Sequence, residues 1–136
     1  MKITGACHCG EITYEADINL DKVVVCHCTD CQKISGTAFR SVVMSEPDGV
    51  TFTKGTAKEY VKIAESGNPR AQGFCGDCGS GLYATTVGKE NRVYGIRAGS
   101  VDQINELIPK CQIWHSSAVP WLNTLENLPA FEKSPK

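Results

Sequence analysis

Residues 26–31 read Cys26-His27-Cys28-Thr29-Asp30-Cys31, so three thiols fall within six positions. A C-x-C motif here overlaps a C-x-x-C motif, and the three sulfurs can converge on one point if the backbone turns. Three ligands on a tetrahedral metal leave a fourth position open, which is what distinguishes a catalytic zinc from a structural one. This stretch therefore predicts a zinc site that meets a substrate.

Two further cysteine pairs lie outward from this stretch, in Gly5-Ala6-Cys7-His8-Cys9-Gly10 and in Phe74-Cys75-Gly76-Asp77-Cys78-Gly79. The neighbouring glycines allow the backbone to turn tightly around an ion. Two plus two thiolates make a closed structural zinc site. By this count the four flanking cysteines form one site, and the trio Cys26, Cys28 and Cys31 keeps its open position.

An alternative is that the trio closes with a fourth ligand, which would give two structural sites and no chemistry. The candidates are Cys111, His115, His8 and His27. The two histidines that lie between cysteines would have to turn back toward the same ion. His115 approaches from a distant region, although a histidine near Trp114 and Trp121 is more often a packed polar residue. As a lone cysteine, Cys111 is expected to be a small buried hydrophobe.

Length and composition limit the class of protein. The 136 residues suit one domain, 1–136, with a hydrophobic core. The 14 basic and 15 acidic residues nearly cancel, which disfavours nucleic acid as a partner. No apolar run reaches the roughly 18 residues of a membrane span, and the first residues lack a signal-peptide pattern. We expect a cytoplasmic protein with reduced thiols, a small-molecule substrate and a monomeric or homodimeric state, without nucleic-acid or membrane partners.

Short alternating or β-branched segments predict a mainly β protein. The predicted strands are 11–16, 22–25, 38–44, 50–52, 57–63, 71–74, 81–87, 92–98 and 111–114. Residues 46–49 (Glu-Pro-Asp-Gly) predict a turn that breaks a strand, residues 32–35 a helical turn stopped by Gly36, and residues 101–108 a short helix stopped by Pro109. Pro120-Trp121-Leu122 and Pro129-Ala130-Phe131 are expected to lie as aromatic anchors over the core.

The three cysteine motifs, together with Gln32-Lys33, Ser35-Gly36 and the C-terminal Pro120-Trp121 and Pro129-Ala130-Phe131, resemble the glutathione-dependent formaldehyde-activating enzyme family, which includes centromere protein V relatives. The resemblance covers essentially the whole chain. It implies a β-tent fold of antiparallel sheets stabilised by zinc. It also implies a structural zinc at Cys7, Cys9, Cys75 and Cys78 and a catalytic-type zinc at Cys26, Cys28 and Cys31, two ions per chain.

The family's named activity, formation of S-hydroxymethylglutathione, implies a carbon–sulfur lyase with glutathione as a co-substrate. A zinc hydrolase on the same frame and a non-catalytic zinc-binding interaction module are the alternatives. Three basic residues, Lys33, Arg40 and Arg97, are candidates to pair with substrate carboxylates, although such residues are more often simply solvated. Phe39 is expected in the core or in a pocket wall. Asp30 is expected to make local hydrogen bonds or to carry a proton, and no general base is assigned.

Overall fold

The structure is a computed structural model that describes residues 1–88 and 90–135, and it consists mainly of β-strands. In chain order its regular elements are β1 (Lys2–Ala6), β2 (Thr13–Cys26), α1 (Thr29–Ser35), β3 (Arg40–Lys54), β4 (Lys58–Ile63), β5 (Pro69–Phe74), β6 (Gly81–Thr86), β7 (Gly95–Arg97) and β8 (Cys111–Ile113). Short 3₁₀ segments lie at Ala98–Ser100, Ile104–Glu106, His115–Ser117 and Leu122–Asn127. The predicted fold class, mainly β, is confirmed. Within these residues, no helix is long and apolar enough to cross a membrane.

All eight strands belong to one hydrogen-bonded sheet with the order β1-β2-β3-β7-β6-β5-β4, and β8 pairs with β2 outside this path. Neighbouring strands are antiparallel except β2 and β8, which run parallel with Cys26 opposite Ile113. β1 pairs with the first residues of β2, and β8 pairs with the last. The parallel pair brings the C-terminal region next to the three-cysteine stretch, which the sequence did not indicate.

Two strands are longer than predicted because each merges two predicted segments. β2 begins at Thr13, inside the predicted segment 11–16, and continues through 22–25; β3 begins at Arg40, inside 38–44, and continues through 50–52. The prediction that residues 46–49 break the strand was wrong. Asp48 has a positive φ of 50°, and the register between β2 and β3 shifts on either side of Ile18, but the chain continues as β3. Turn-forming residues here produce an irregularity of the bulge type rather than a reversal, because Ser45 and Val50 on either side both stay paired with β2 and the Asp48 N–H donates to the carbonyl of Arg92.

The core lies on one face of the sheet and extends to the cysteine turns. The start of β2 alternates buried and solvent-facing residues, as a half-buried strand does. One cluster of buried side chains contains Ile3, Ile12, Tyr14, Ala16, Ile18, Val23, Val43, Leu82, Tyr83, Ile96, Ala98, Val101 and Leu107, together with Cys7 and Cys75. The first cysteine pair and the last are therefore attached to the same core.

The C-terminal region differs most from expectation. The helix predicted over 101–108 is only a 3₁₀ turn, Ile104–Glu106, because Leu107 turns inward and Pro109 prevents continuation. Cys111 is exposed on β8 rather than buried. The predicted aromatic anchors were wrong as well, since Trp121 and Phe131 are 51% and 64% exposed. Trp121 caps the 3₁₀ segment Leu122–Asn127, and Phe131 lies beyond that segment in irregular chain at the surface.

Candidate metal centres

The first candidate metal centre is built from two turns of similar geometry. The β1–β2 turn carries Cys7 and Cys9, and the β5–β6 connection carries Cys75 and Cys78. In the first turn the backbone N–H of Gly10 donates to the carbonyl of Cys7, and in the second Gly79 donates to Cys75. Both glycines have a φ of 80°, a left-handed conformation that side chains other than glycine's disfavour. The glycine that follows each cysteine pair therefore closes the turn.

The two turns meet although their strands are distant in the sheet. β1 and β5 are separated by β2, β3, β7 and β6 in strand order, so the sheet must curve back on itself to bring them together. A hydrogen bond of 2.9 Å from the backbone N–H of His8 to the side-chain Oγ of Ser80 links the turns directly. The pairing of Cys7/Cys9 with Cys75/Cys78 is thus a tertiary contact between the β1–β2 turn at one edge of the sheet and the β5–β6 connection.

The four sulfurs have the spacing of a tetrahedral thiolate site. Cys7 Sγ lies 3.6 Å from Cys9 Sγ, and Cys9 Sγ lies 3.8 Å from Cys75 Sγ. All four sulfurs, including that of Cys78, lie within 4.8 Å of one another. A disulfide would need about 2.05 Å, whereas a tetrahedral ion with bonds of about 2.3 Å places its sulfurs about 3.8 Å apart. The donor set therefore fits a zinc ion.

The second candidate metal centre is local in sequence. Cys26 ends β2, Cys28 is the N-cap of α1, and Cys31 lies within this helix. The sulfur of Cys28 accepts a hydrogen bond of 3.2 Å from the backbone N–H of Cys31, and the helix ends at Gly36 in the left-handed conformation. The three sulfurs lie within 4.8 Å of one another. The strand-to-helix turn thus gives the convergence that the spacing predicts.

None of the four proposed closing ligands joins the trio. In residues 1–88 and 90–135, no other histidine, cysteine, aspartate or glutamate atom belongs to this sulfur group. His27 is buried, and its Nε2 lies 2.8 Å from Gln112 Oε1 on β8. The ring of His115 packs edge-on against the ring of His27, with centroids 5.4 Å apart. His27 therefore connects the cysteine turn to β8, in a packing role rather than as a ligand.

Burial and hydrogen bonding give the thiols of each centre different pKa values. Burial, followed by the neighbouring thiols Cys31 and Cys28, raises the pKa of Cys26 to about 12. Hydrogen bonds from Ser80, first from its hydroxyl, lower the pKa of Cys78 to about 5. Adjacent thiols do not ionise together readily because the thiolates repel one another, and a bound divalent cation offsets this repulsion. Both centres therefore favour a bound cation once their thiols ionise.

Arg40 connects the trio to a cavity. Its Nη2 donates a hydrogen bond of 3.1 Å to Cys31 Sγ, and its Nε is buried without a partner in the part of the chain that the structure describes. The cavity has a volume of about 720 Å³. Its walls include Phe39, Arg40, Tyr60, Gln72, Phe74, Gly79, Arg97, Ile104 and Leu107. Among the described residues no cysteine is part of its wall; it adjoins the two centres through Gly79, which follows Cys78, and through Arg40, which contacts Cys31.

Arg97 is a second cation in the cavity wall. Its Nη2 donates to Gln72 Oε1 at 2.6 Å, and its Nη1 donates to the carbonyl of Gly95 at 3.3 Å. Burial, with a further contribution from the positive charge of Arg40, lowers the pKa of Arg97 to about 9. Arg97 still carries its charge at neutral pH. The expectation that Arg40 and Arg97 are merely solvated was wrong, since both are partly buried and line the cavity.

Of the other candidates, Asp30 and Lys33 lie outside the cavity. Asp30 is exposed and forms an ion pair of 2.6 Å with Lys62 on β4, so it contacts a distant strand rather than its own turn. Lys33 is exposed and lines a separate groove beside β4. Phe39 is in the cavity wall. Sequence reasoning missed Tyr60 and Gln72, because neither belongs to a motif. The available signal was their position. Gln72 lies on β5, which leads into Cys75 and Cys78, and Tyr60 lies on β4, which pairs with β5.

Comparison with known proteins identifies the family. The family model described as glutathione-dependent formaldehyde-activating enzyme matches residues 2–117. The chain belongs to this family. The resemblance stated from the cysteine motifs is thereby confirmed, and both cysteine groups fall within the family match.

A solved structure has a similar fold. It is the crystal structure of a Rhodobacter sphaeroides protein determined as a structural genomics target, with a TM-score of 0.60 and 15% sequence identity. The match covers 80% of this chain and 98% of that chain. At this identity the likeness concerns the fold alone.

Proposed function

We propose that this protein is a zinc-dependent enzyme of the carbon–sulfur lyase type that acts on a small carbonyl compound or on its adduct with a thiol. In the forward direction the thiol sulfur bonds to the carbonyl carbon, and the thiol proton ends on the carbonyl oxygen. The reverse reaction breaks the same bond, and neither direction needs an oxidant. The family description supports glutathione as the thiol and formaldehyde as the reference carbonyl compound.

The observation that carries the proposal is the hydrogen bond from Arg40 to Cys31 Sγ at the wall of the cavity. This side chain connects the three-thiol group to a space large enough for a substrate. The four-cysteine group offers four donors and so would fill a tetrahedral ion by itself. The trio, with three donors, is the centre that we assign to chemistry.

Cys26, Cys28 and Cys31 would hold the ion, and a zinc bound there supplies Lewis acidity and one open coordination position. The Arg40 guanidinium stabilises the anionic sulfur of Cys31 through a charge-assisted hydrogen bond. The aromatic rings in the cavity wall, including Phe39, limit water around a bound adduct. His27 holds the cysteine turn against β8 through Gln112. These residues bind and orient, and no proton-transfer group is assigned.

The test is an exchange experiment with zinc-loaded protein, formaldehyde and glutathione, followed by NMR. The adduct also forms without a catalyst, so the measured quantity is the exchange rate above that of buffer. We expect the protein to raise this rate and the Cys28→Ser variant to lose the increase. Cys111→Ser is the matched control, because Cys111 is exposed and outside both sulfur groups. Equal rates for buffer, wild type and Cys28→Ser would contradict the proposal.

Two further outcomes identify the alternatives. Turnover of a carbonyl or ester substrate without any thiol present would favour the hydrolase. Two equally tight zinc ions that do not respond to glutathione or to other small thiols would favour an interaction module. One zinc that a chelator removes readily and that glutathione perturbs would favour the lyase.

A further inference from the structure

We infer that the cavity contains a carboxylate-binding subsite at Arg97, so that the substrate of the trio carries an anionic end on an apolar body. The inference deepens the proposed function and rests on it for the position of a reacting centre beside the cavity. Its central claim concerns binding, which can be measured without turnover.

The first argument is charge balance. In the described residues the ion pairs are Lys2–Asp17, Lys62–Asp30 and Arg92–Glu59, so no carboxylate pairs with Arg40 or Arg97. Three thiolates and one divalent zinc leave a single negative charge, which the positive charge of Arg40 balances through its bond to Cys31. Arg97 is then left as an excess cation in a partly buried wall. A desolvated cation is unfavourable without an anion, so a ligand with one negative charge would complete the site.

The second argument is the hydrogen bonding of Arg97. Its recorded acceptors, Gln72 Oε1 and the carbonyl of Gly95, are both neutral. They fix the guanidinium in place without neutralising it. Arg97 Nε has no hydrogen-bond partner among the described residues and is not fully buried, so it is accessible to a ligand. A guanidinium has five N–H donors in a planar fork that matches a carboxylate. Arg97 is thus held rigidly with donors to spare at the cavity.

The third argument is the rest of the cavity wall. Phe39, Tyr60, Phe74, Ile104 and Leu107 provide aromatic and aliphatic surface around the two arginines. A volume of about 720 Å³ far exceeds the need of formaldehyde and is typical of sites for larger organic ligands. The chemical class that fits is a thiol, or a thiol adduct, with an apolar chain or ring and one carboxylate.

The experiment is calorimetric titration of the zinc-loaded protein with two probes of the same shape, 3-phenylpropionate and 3-phenylpropanol. We expect the acid to bind at least about tenfold more tightly than the alcohol, because a charge-assisted hydrogen bond adds to the shared apolar contacts. Neither probe is a thiol or a carbonyl substrate, so the result does not depend on catalysis. A failed exchange assay with a preserved acid preference would reject the lyase and keep the subsite, and the reverse would reject the subsite alone.

Two variants locate the preference at Arg97. Gln72→Glu is nearly isosteric and places a carboxylate against Arg97 Nη2, so we expect the acid to bind about as weakly as the alcohol. Arg97→Gln should have the same effect, and Gln72→Glu decides the matter if Arg97→Gln does not fold. Arg70→Gln is the matched control, because Arg70 is also partly buried on the same sheet but does not line the cavity.

The acid affinity of Arg70→Gln should stay within about twofold of wild type, because Arg70 does not line the cavity and so donates no hydrogen bond to the ligand. Equal binding of acid and alcohol to the wild type would overturn the inference. So would an acid preference that survives in Gln72→Glu, or an equal loss in Arg70→Gln and Gln72→Glu.

Discussion

The two cysteine groups use the same ligand chemistry in opposite structural settings. The four-cysteine group joins two turns that are 66 positions apart between Cys9 and Cys75, and two of its members belong to the hydrophobic core. The three-cysteine group lies within six residues, at one strand-to-helix turn, and contacts a cavity through Arg40. A metal in the first group would cross-link the fold, and a metal in the second would change little beyond its own turn. The difference teaches that two groups with the same donors differ in what a bound metal would connect: distant parts of the fold in one case, a single turn beside a cavity in the other.

The largest effect is expected from Cys75→Ser, in the cross-linking group. Structural zinc contributes roughly 10–16 kcal/mol of apparent binding free energy, which equals or exceeds the roughly 5–15 kcal/mol stability of a whole domain. We therefore expect the variant to unfold or to lose one zinc with a much lower melting temperature. Circular dichroism and zinc analysis measure both. A variant with unchanged zinc content and melting would show that this group does not cross-link the fold.

A smaller effect is expected from Cys31→Ser, in the local group. We expect one zinc to be lost per chain while the far-ultraviolet spectrum stays that of the wild type, with a loss of about 1–3 kcal/mol in unfolding free energy. Metal analysis and chemical denaturation check this. If Cys31→Ser unfolds the protein as fully as Cys75→Ser does, the two groups are not distinct in role.

Arg40→Gln sharpens the comparison without removing a ligand. Arg40 stabilises the negatively charged, metal-loaded thiolates more than the protonated thiols, so its loss should weaken zinc binding at the trio, by about tenfold. Competition with a chromophoric chelator measures this affinity. Arg40→Lys, which keeps the charge without the planar fork, should retain part of it. An effect on the four-cysteine zinc instead would contradict the assignment of Arg40 to the trio.

The smallest effects concern the glycines that close the two kinds of turn. Gly79 and Gly36 both have left-handed φ values, 80° and 70°, and an added Cβ would meet no atom within 4 Å at either. Alanine at each position should therefore cost only backbone strain, about 1 kcal/mol. Denaturation curves should agree for the two variants, whereas only Gly79→Ala should speed zinc release from the four-cysteine group. Faster zinc release from the four-cysteine group in Gly36→Ala alone would contradict the assignment of Gly79 to that group.

Features that depend on residues close in sequence could be predicted, whereas features that depend on residues distant in sequence could not. The strand over 11–16 and the helical turn ending at Gly36 depend on neighbouring residues, and both were recognised. The behaviour of residues 46–49 depends on pairing with β2 and on hydrogen bonds between Asp48 and residues 91–92, and a local turn signal could not reveal those partners. The exposure of Trp121 and Cys111 likewise depends on where the C-terminal segments lie, which no periodicity specifies.

The sequence by itself determined which cysteines group together, because ligand types and short spacings limit which sulfurs can share one ion. It also determined the mainly β class through short β-branched segments and glycine-rich turns. Only the tertiary structure decided that the cavity lies beside both centres and that Arg40 and Arg97 share its wall. Those residues lie on β3 and β7 and meet Tyr60 and Gln72 from β4 and β5, so their chemistry arises from sheet order and curvature. The sequence around a single arginine in a strand does not indicate which surface its side chain will face, whereas three cysteines within six residues indicate a shared metal site.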